Sequence, residues 1–329
     1  MLRPLTLRWA RQLGVEFGAN LWLKHPCSLI SLTSLRWQII WQDSLLSITF
    51  DRPSPTTIVT HHKHVKPTSK LLYIDSMRRL CKIGLDIVQQ RAVSRPVHQQ
   101  LLRIVEYRDQ IQEDFEQMED HLQDIAKCRS MRENLEFWNL YLHRSYILSE
   151  LCRPTIRNKH FHGEHKELSQ SLRSLCVESL ANTVEAFLGL QNITKFASQS
   201  WAAMHRSLSS ALLLGILGEP AKSERIQRLL SKLAAVISDV LTGVDPSELS
   251  APLTRSVAAL YKLIPQPPGN ADSQNQNALA FGDFYRFDDQ TVPGVSGSTT
   301  EPISPVERPS PYSILHSIFW GTIEQPLLS

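Results

Sequence analysis

Between residues 97 and 125 one apolar stripe dominates the chain. Val97, Leu101, Ile104, Ile111, Phe115, Met118, Leu122 and Ile125 recur at steps of three, four or seven, and Arg108 takes the slot left open. That rhythm belongs to an α-helix with one buried face and is incompatible with a strand. Ser94 is a good cap and Pro96 suits a first turn, so one long helix is expected from 94 to about Lys127. A stripe of about four heptads pairs either with a second copy or with the chain's own helices. Burial on its own helices is the expected use, and dimerisation through 94–127 is the alternative.

The same periodicity recurs elsewhere. Helices are expected over Leu5–Phe17, Leu71–Arg91, Arg132–Leu151, Leu168–Leu190, Ser198–Leu217, Ser223–Leu241 and Glu248–Ile264. Breaks are expected at Pro154–His165, at Gly189 with the mostly polar 191–194, at Gly218-Glu219-Pro220 and at Asp245-Pro246. With 42% apolar residues and only 13 glycines in 329, the fold class expected is all-α: an array of about nine helices over residues 1–264. Residues 265–310, rich in Pro, Gly, Ser, Asn and Gln, read as a disordered linker. Residues 311–329 read as a short C-terminal amphipathic helix (Tyr312–Trp320) and tail, either docking on a partner or folding back on the body.

The segment Leu35–Pro53, LRWQIIWQDSLLSITFDRP, carries more information than periodicity alone. It reads as a buried central helix with Leu35, Ile39, Leu46 and Phe50 on one stripe and Trp37 and Trp41 on the next. Asp43 and Ser47 are polar groups inside it, and Pro53 forces its end. A buried carboxylate needs a cationic or donor partner, so Asp43 is expected to form a polar lock with Arg52 or Arg36.

The order Trp37, Asp43, Leu46-Ser47, Arg52-Pro53 resembles the signature helix of the fungal-specific transcription factor domain. This is the middle homology region that follows Zn2Cys6 binuclear-cluster DNA-binding domains. The usual pattern closes on Gly-Arg-Pro; here Asp51 stands in the glycine's place, and Arg36 is what remains of the usual basic-aromatic opening. Leu13-Gly14, Leu80–Leu85, Trp201–His205 with Leu208–Leu214, Pro252–Arg255 with Ala259-Leu260, and Phe319-Trp320-Gly321 resemble later segments of the same family. The structural signature is therefore Trp37, Trp41, Asp43, Ser47, Arg52 and Pro53.

The resemblance implies a nuclear regulatory domain acting on RNA polymerase II transcription, with coregulators and a homo- or heterodimeric partner. DNA would be reached only through a zinc cluster that relatives carry upstream, and the chain is expected to begin part-way into the region. No zinc or other cofactor is expected in this chain. The five cysteines, 27, 81, 128, 152 and 176, contain no Cys-x-x-Cys pair and read as reduced thiols. A formal charge of +3 gives no strong field for nucleic acid, although residues 1–70 carry nine Lys/Arg against three Asp/Glu and residues 270–329 carry two against seven. The aromatic-acidic run Phe281–Asp289 reads as linker or, in the alternative, an activation segment.

No enzyme is expected. There is no Gly-x-Ser-x-Gly elbow, phosphate loop or metalloprotease helix. His61, His62 and His64, and His160, His162 and His165, read as solvated loops. His205, on an apolar helix face, reads as a hydrogen-bonded core histidine. No run reaches the roughly 18 apolar residues that span a membrane. The competing expectation is a helical scaffold or interaction protein without DNA binding, acting as a dominant-negative partner of a longer relative.

Overall fold

Helices supply 87% of the described residues, and no strand occurs among them. The computed structural model describes residues 40–53, 69–93, 96–157, 165–242, 251–265 and 310–320. The expected linker, the 5–17 helix and Trp37 lie outside those residues. The described helices are α1 (40–50), α2 (Tyr73–Arg91), α3 (Val97–Glu116), a one-turn α4 (Asp120–Gln123), α5 (Met131–Arg157), α6 (Lys166–Ile193) and a one-turn α7 (Phe196–Gln199). α8 (Trp201–Ile216), α9 (Glu224–Thr242), α10 (Ala251–Leu263) and α11 (Pro311–Trp320) follow. Nine of the eleven have seven or more residues, which is the expected array.

The centre is built by α5, α6 and α8. α5 packs along α6, and α8 crosses α6. Small residues on α6 permit close approach: Ser179, Ala181, Thr183, Ala186 and Gly189 are all buried. The Trp138 indole lies against Gly189, where an added Cβ would meet ring atoms at 2.4–2.6 Å. Gly189 is thus a packing residue inside a helix rather than the break expected there. Leu208 and Ala211–Leu214 of α8 are almost wholly out of water, each large side chain contributing about 1.5–3 kcal/mol. The Ser200 hydroxyl accepts from the Ala203 amide and so caps α8. Three buried hydroxyls are satisfied by their own helix: Ser149 donates to Tyr146 O, Thr183 to Ser179 O and Ser207 to Met204 O.

The 97–125 stripe is buried against the chain's own helices. Leu101, Ile104, Ile111, Met118 and Leu122 are buried in the common core, where α3 packs on α2 and α5. The single long helix does not form. Leu71 N donates to Gln117 O and Glu119 N donates to Leu71 O, a parallel bridge between Leu71 and Met118 that pulls residues 117–119 out of helical geometry. Ile125 then falls on a 3-10 turn and is exposed. The start also differs: Pro96 is the residue before the first turn of α3, not inside it.

Proline 154 does not end α5. The helix continues through it to Arg157. Proline lacks the N–H that would bond the carbonyl four residues back, and Arg91 Nη2 donates to that Glu150 carbonyl at 2.6 Å instead.

The helix at 40–50 is peripheral rather than central. Leu46 is 47% and Phe50 41% exposed, whereas Ile40, Ser44, Ser47 and Ile48 are buried. The buried face is rotated from the apolar stripe because the two serines and Gly84 of α2 allow close approach; Ile48 occupies the place a Gly84 side chain would need. The end of α1 is made by Asp51 at φ 52, in the left-handed region, with Arg52 N donating to Ser47 O at 3.1 Å. This is a Schellman-type close.

At the other end of the chain, α11 folds back on α10, α8 and α5. Arg255 donates to the Ile318 and Phe319 carbonyls at 3.2 and 2.8 Å, and Tyr312 and Phe319 are buried.

Candidate functional site

A fully buried arginine is the most unusual side chain of the core. Arg206 of α8 is 1% exposed. Its Nη1 contacts Nδ1 of His143 on α5, and its guanidinium lies over the Tyr146 ring at 4.7 Å. A guanidinium only donates. His143 Nδ1 is therefore the acceptor, and the neutral ring carries its proton on Nε2. Burial, with the Arg206 charge second, holds His143 well below its ordinary pKa and so fixes the neutral form. The Trp41 ring of α1 meets His143 edge-on at 5.9 Å. Cys81 of α2 completes the junction of four helices, its thiol hydrogen-bonded to Ser44 of α1 and pushed up by burial.

The hydrogen-bond balance at this junction is one-sided. Arg206 Nε, Arg206 Nη2, His143 Nε2 and Trp41 Nε1 are buried and have no acceptor. All four are donors. Buried donors are normally paired, and each one left alone costs about 1–3 kcal/mol.

An ionic network adjoins the cluster. The Glu150 carboxylate accepts from Arg91 at 2.8 Å and pairs with Arg153 at 3.5 Å, and Asp51 pairs with Arg91 at 2.9 Å and with Arg153 at 3.6 Å. Burial pulls the Arg91 pKa down, but Glu150 and Asp51 together raise it. The Arg153 guanidinium also stacks on Tyr312 of α11 at 4.1 Å. An ionic lock at the end of α1 is thus made by Asp51, the residue in the glycine position. Arg52 and Pro53 are exposed and Asp43 is half-buried, while Arg36, the other partner expected for Asp43, lies outside the described residues. Of the signature residues described, only Trp41 joins the Arg206 cluster; Ser47 is buried on the same helix.

His205 lies between Trp201 and Phe319, with ring centroids 5.0 and 4.7 Å away. Its pKa falls to about 4, first through burial and then through Arg206. It is a core histidine as expected, but Nδ1 has no hydrogen-bond partner. His165 stacks on His98 at 4.8 Å, and His160, His162 and the 61–64 run lie outside the described residues. Among the described residues no three His, Cys, Asp or Glu converge as a metal site. Cys81, Cys128, Cys152 and Cys176 are free thiols, and burial raises Cys152 to about 12.

A second polar site is an open cleft of about 510 Å³ lined by Lys70, Glu119, Asp120, His121, Lys127, Arg129 and Glu133. Most of its charges are engaged: Lys70 with Asp120, Glu133 with the Arg129 and Ser130 backbone amides, and His121 with the neighbouring Glu136 at 3.3 Å. No described helix is long and apolar enough to cross a membrane.

Sequence reasoning passed over Arg206 and His143. The available signal was a charge inside the apolar run 202–217. No family model, curated protein or solved structure matches the chain.

Proposed function

We propose that the chain is the regulatory domain of a fungal Zn2Cys6-type transcription regulator, acting in the nucleus on RNA polymerase II transcription. The observation that carries this reading is the backbone at residue 51. The resemblance has glycine there, and φ at Asp51 is 52, a conformation glycine adopts at no steric cost. A helix end that wants glycine, followed by Arg52-Pro53, supports the kinship of the 37–53 pattern beyond residue identity. The all-α array with a terminal helix folded back agrees with a body that restrains or exposes a docking surface. Contact with DNA would belong to a zinc cluster outside this chain, and coregulators would meet the helical body.

The test is a fusion of residues 1–329 to a heterologous DNA-binding module in a fungal host carrying a matching reporter. Reporter output that departs from that of the module alone, in either direction, supports the reading. Output equal to the module alone, from a fusion present in the nucleus at the same level, rejects it in favour of a scaffold without a transcriptional role.

A further inference from the structure

Arg206 is short of a counter-ion in two independent ways. The first is charge. Around the junction stand three guanidiniums, Arg91, Arg153 and Arg206, against two carboxylates, Glu150 and Asp51, and both carboxylates are taken by Arg91 and Arg153. A buried cation without a counter-ion is strongly disfavoured, and the Tyr146 face offsets only part of that cost. The second is geometry. The two unpartnered guanidinium nitrogens, Nε and Nη2, share one edge of the group. That edge is the fork that takes both oxygens of a carboxylate side-on. The His143 and Trp41 N–H groups add two more donors and no acceptor.

We propose that the α1–α2–α5–α8 junction is a binding site for a small monoanionic carboxylate, held by the Nε/Nη2 edge of Arg206 with His143 Nε2–H and Trp41 Nε1–H as further donors. One negative charge balances the junction, which favours a carboxylate over a phosphate carrying nearly two. The walls, Trp41 and Tyr146, are aromatic, so an acid with an apolar body fits better than a polar one. Access is by displacement of α1, whose outer face leaves Leu46 in water and Phe50 at the rim, stacked on Trp201 of α8 at 5.9 Å. The inference stands apart from the regulatory reading; for a regulator, this site would receive the effector.

The experiment is thermal unfolding of the full chain with sodium benzoate, inorganic phosphate or sodium chloride at matched ionic strength. Benzoate at ten times its dissociation constant is expected to raise Tm by about 3 °C. Arg206→Met should abolish the rise. Trp41→Phe, which keeps the ring and removes one charge-assisted donor, should weaken benzoate about tenfold or more. Trp41→Phe also provides the readout if Arg206→Met fails to fold. No benzoate response in the wild-type chain overturns the proposal. So does a response equal to that of chloride, one unchanged in both variants, or one exceeded by phosphate.

Discussion

Arg91 supplies the hydrogen bond that Pro154 withholds from the Glu150 carbonyl. The same Nη2 reaches Glu150 O at 2.6 Å and a Glu150 carboxylate oxygen at 2.8 Å, so one guanidinium repairs a helix ladder and neutralises a buried acid. Arg91→Met is therefore expected to lose about 2–4 kcal/mol, since it strands a largely buried carboxylate as well as a carbonyl. Pro154→Ala restores the helical donor. It should recover about 1 kcal/mol in the Arg91→Met background and gain less in the wild type. Urea unfolding of the four proteins of the cycle measures the coupling.

Gly189 tests the packing of α5 on α6. Alanine is the better helix former by about 1 kcal/mol. Its methyl, however, would meet Trp138 at 2.4–2.6 Å, and that ring already meets the stacked Phe137 and Tyr141 rings edge-on. Overpacking of this kind costs about 1–3 kcal/mol. Gly189→Ala should lower Tm, and a raised Tm would show that the indole has room to move.

Asp51 separates backbone strain from ionic contact. Asp51→Gly and Asp51→Ala both remove the pairs to Arg91 and Arg153, but only alanine keeps a side chain at positive φ. Glycine should be the more stable of the two by about 1 kcal/mol. Equal stabilities, read from chemical denaturation, would place no strain at this residue.

His143 and His205 make stability fall with acid. Both are held below their unfolded pKa, His205 to about 4, by burial and then by Arg206. The unfolded chain therefore binds more protons than the folded one below about pH 6.5, and stability rises with pH in that window. The contribution is fully present above pH 6.5 and is lost as pH falls toward 4. Each histidine adds a slope of up to about 1.4 kcal/mol per pH unit. His143→Gln should flatten the urea midpoint between pH 6.5 and 5 by roughly half of that total, while pH 7 to 8 stays unaffected.

The helices were legible because periodicity is a local property. The α2, α9, α10 and α11 boundaries fall within three residues of those expected from the sequence. What was not legible depends on distant partners. Pro154 reads as a break until Arg91, 59 positions from Glu150, is seen to supply its carbonyl. The 117–119 turn depends on a bridge to Leu71. The stripe Leu46–Phe50 points outward because Gly84 accepts Ile48 on another face. Arg206 was visible as a charge in an apolar run, but its meaning lies in His143, 63 positions away. A one-dimensional pattern cannot show that four donors meet there without an acceptor.

A rigid α5–α6–α8 heart carries the Arg206 cluster beneath an outer helix that can lift. Native-state hydrogen exchange measures this directly. Amides of α6 and α8 should exchange only through global unfolding, and those of 40–50 should exchange at least ~10-fold faster through local opening. Protection of residues 40–50 equal to that of α6 would rule out a lifting α1, because the donors of Arg206 would then be sealed for as long as the protein stays folded.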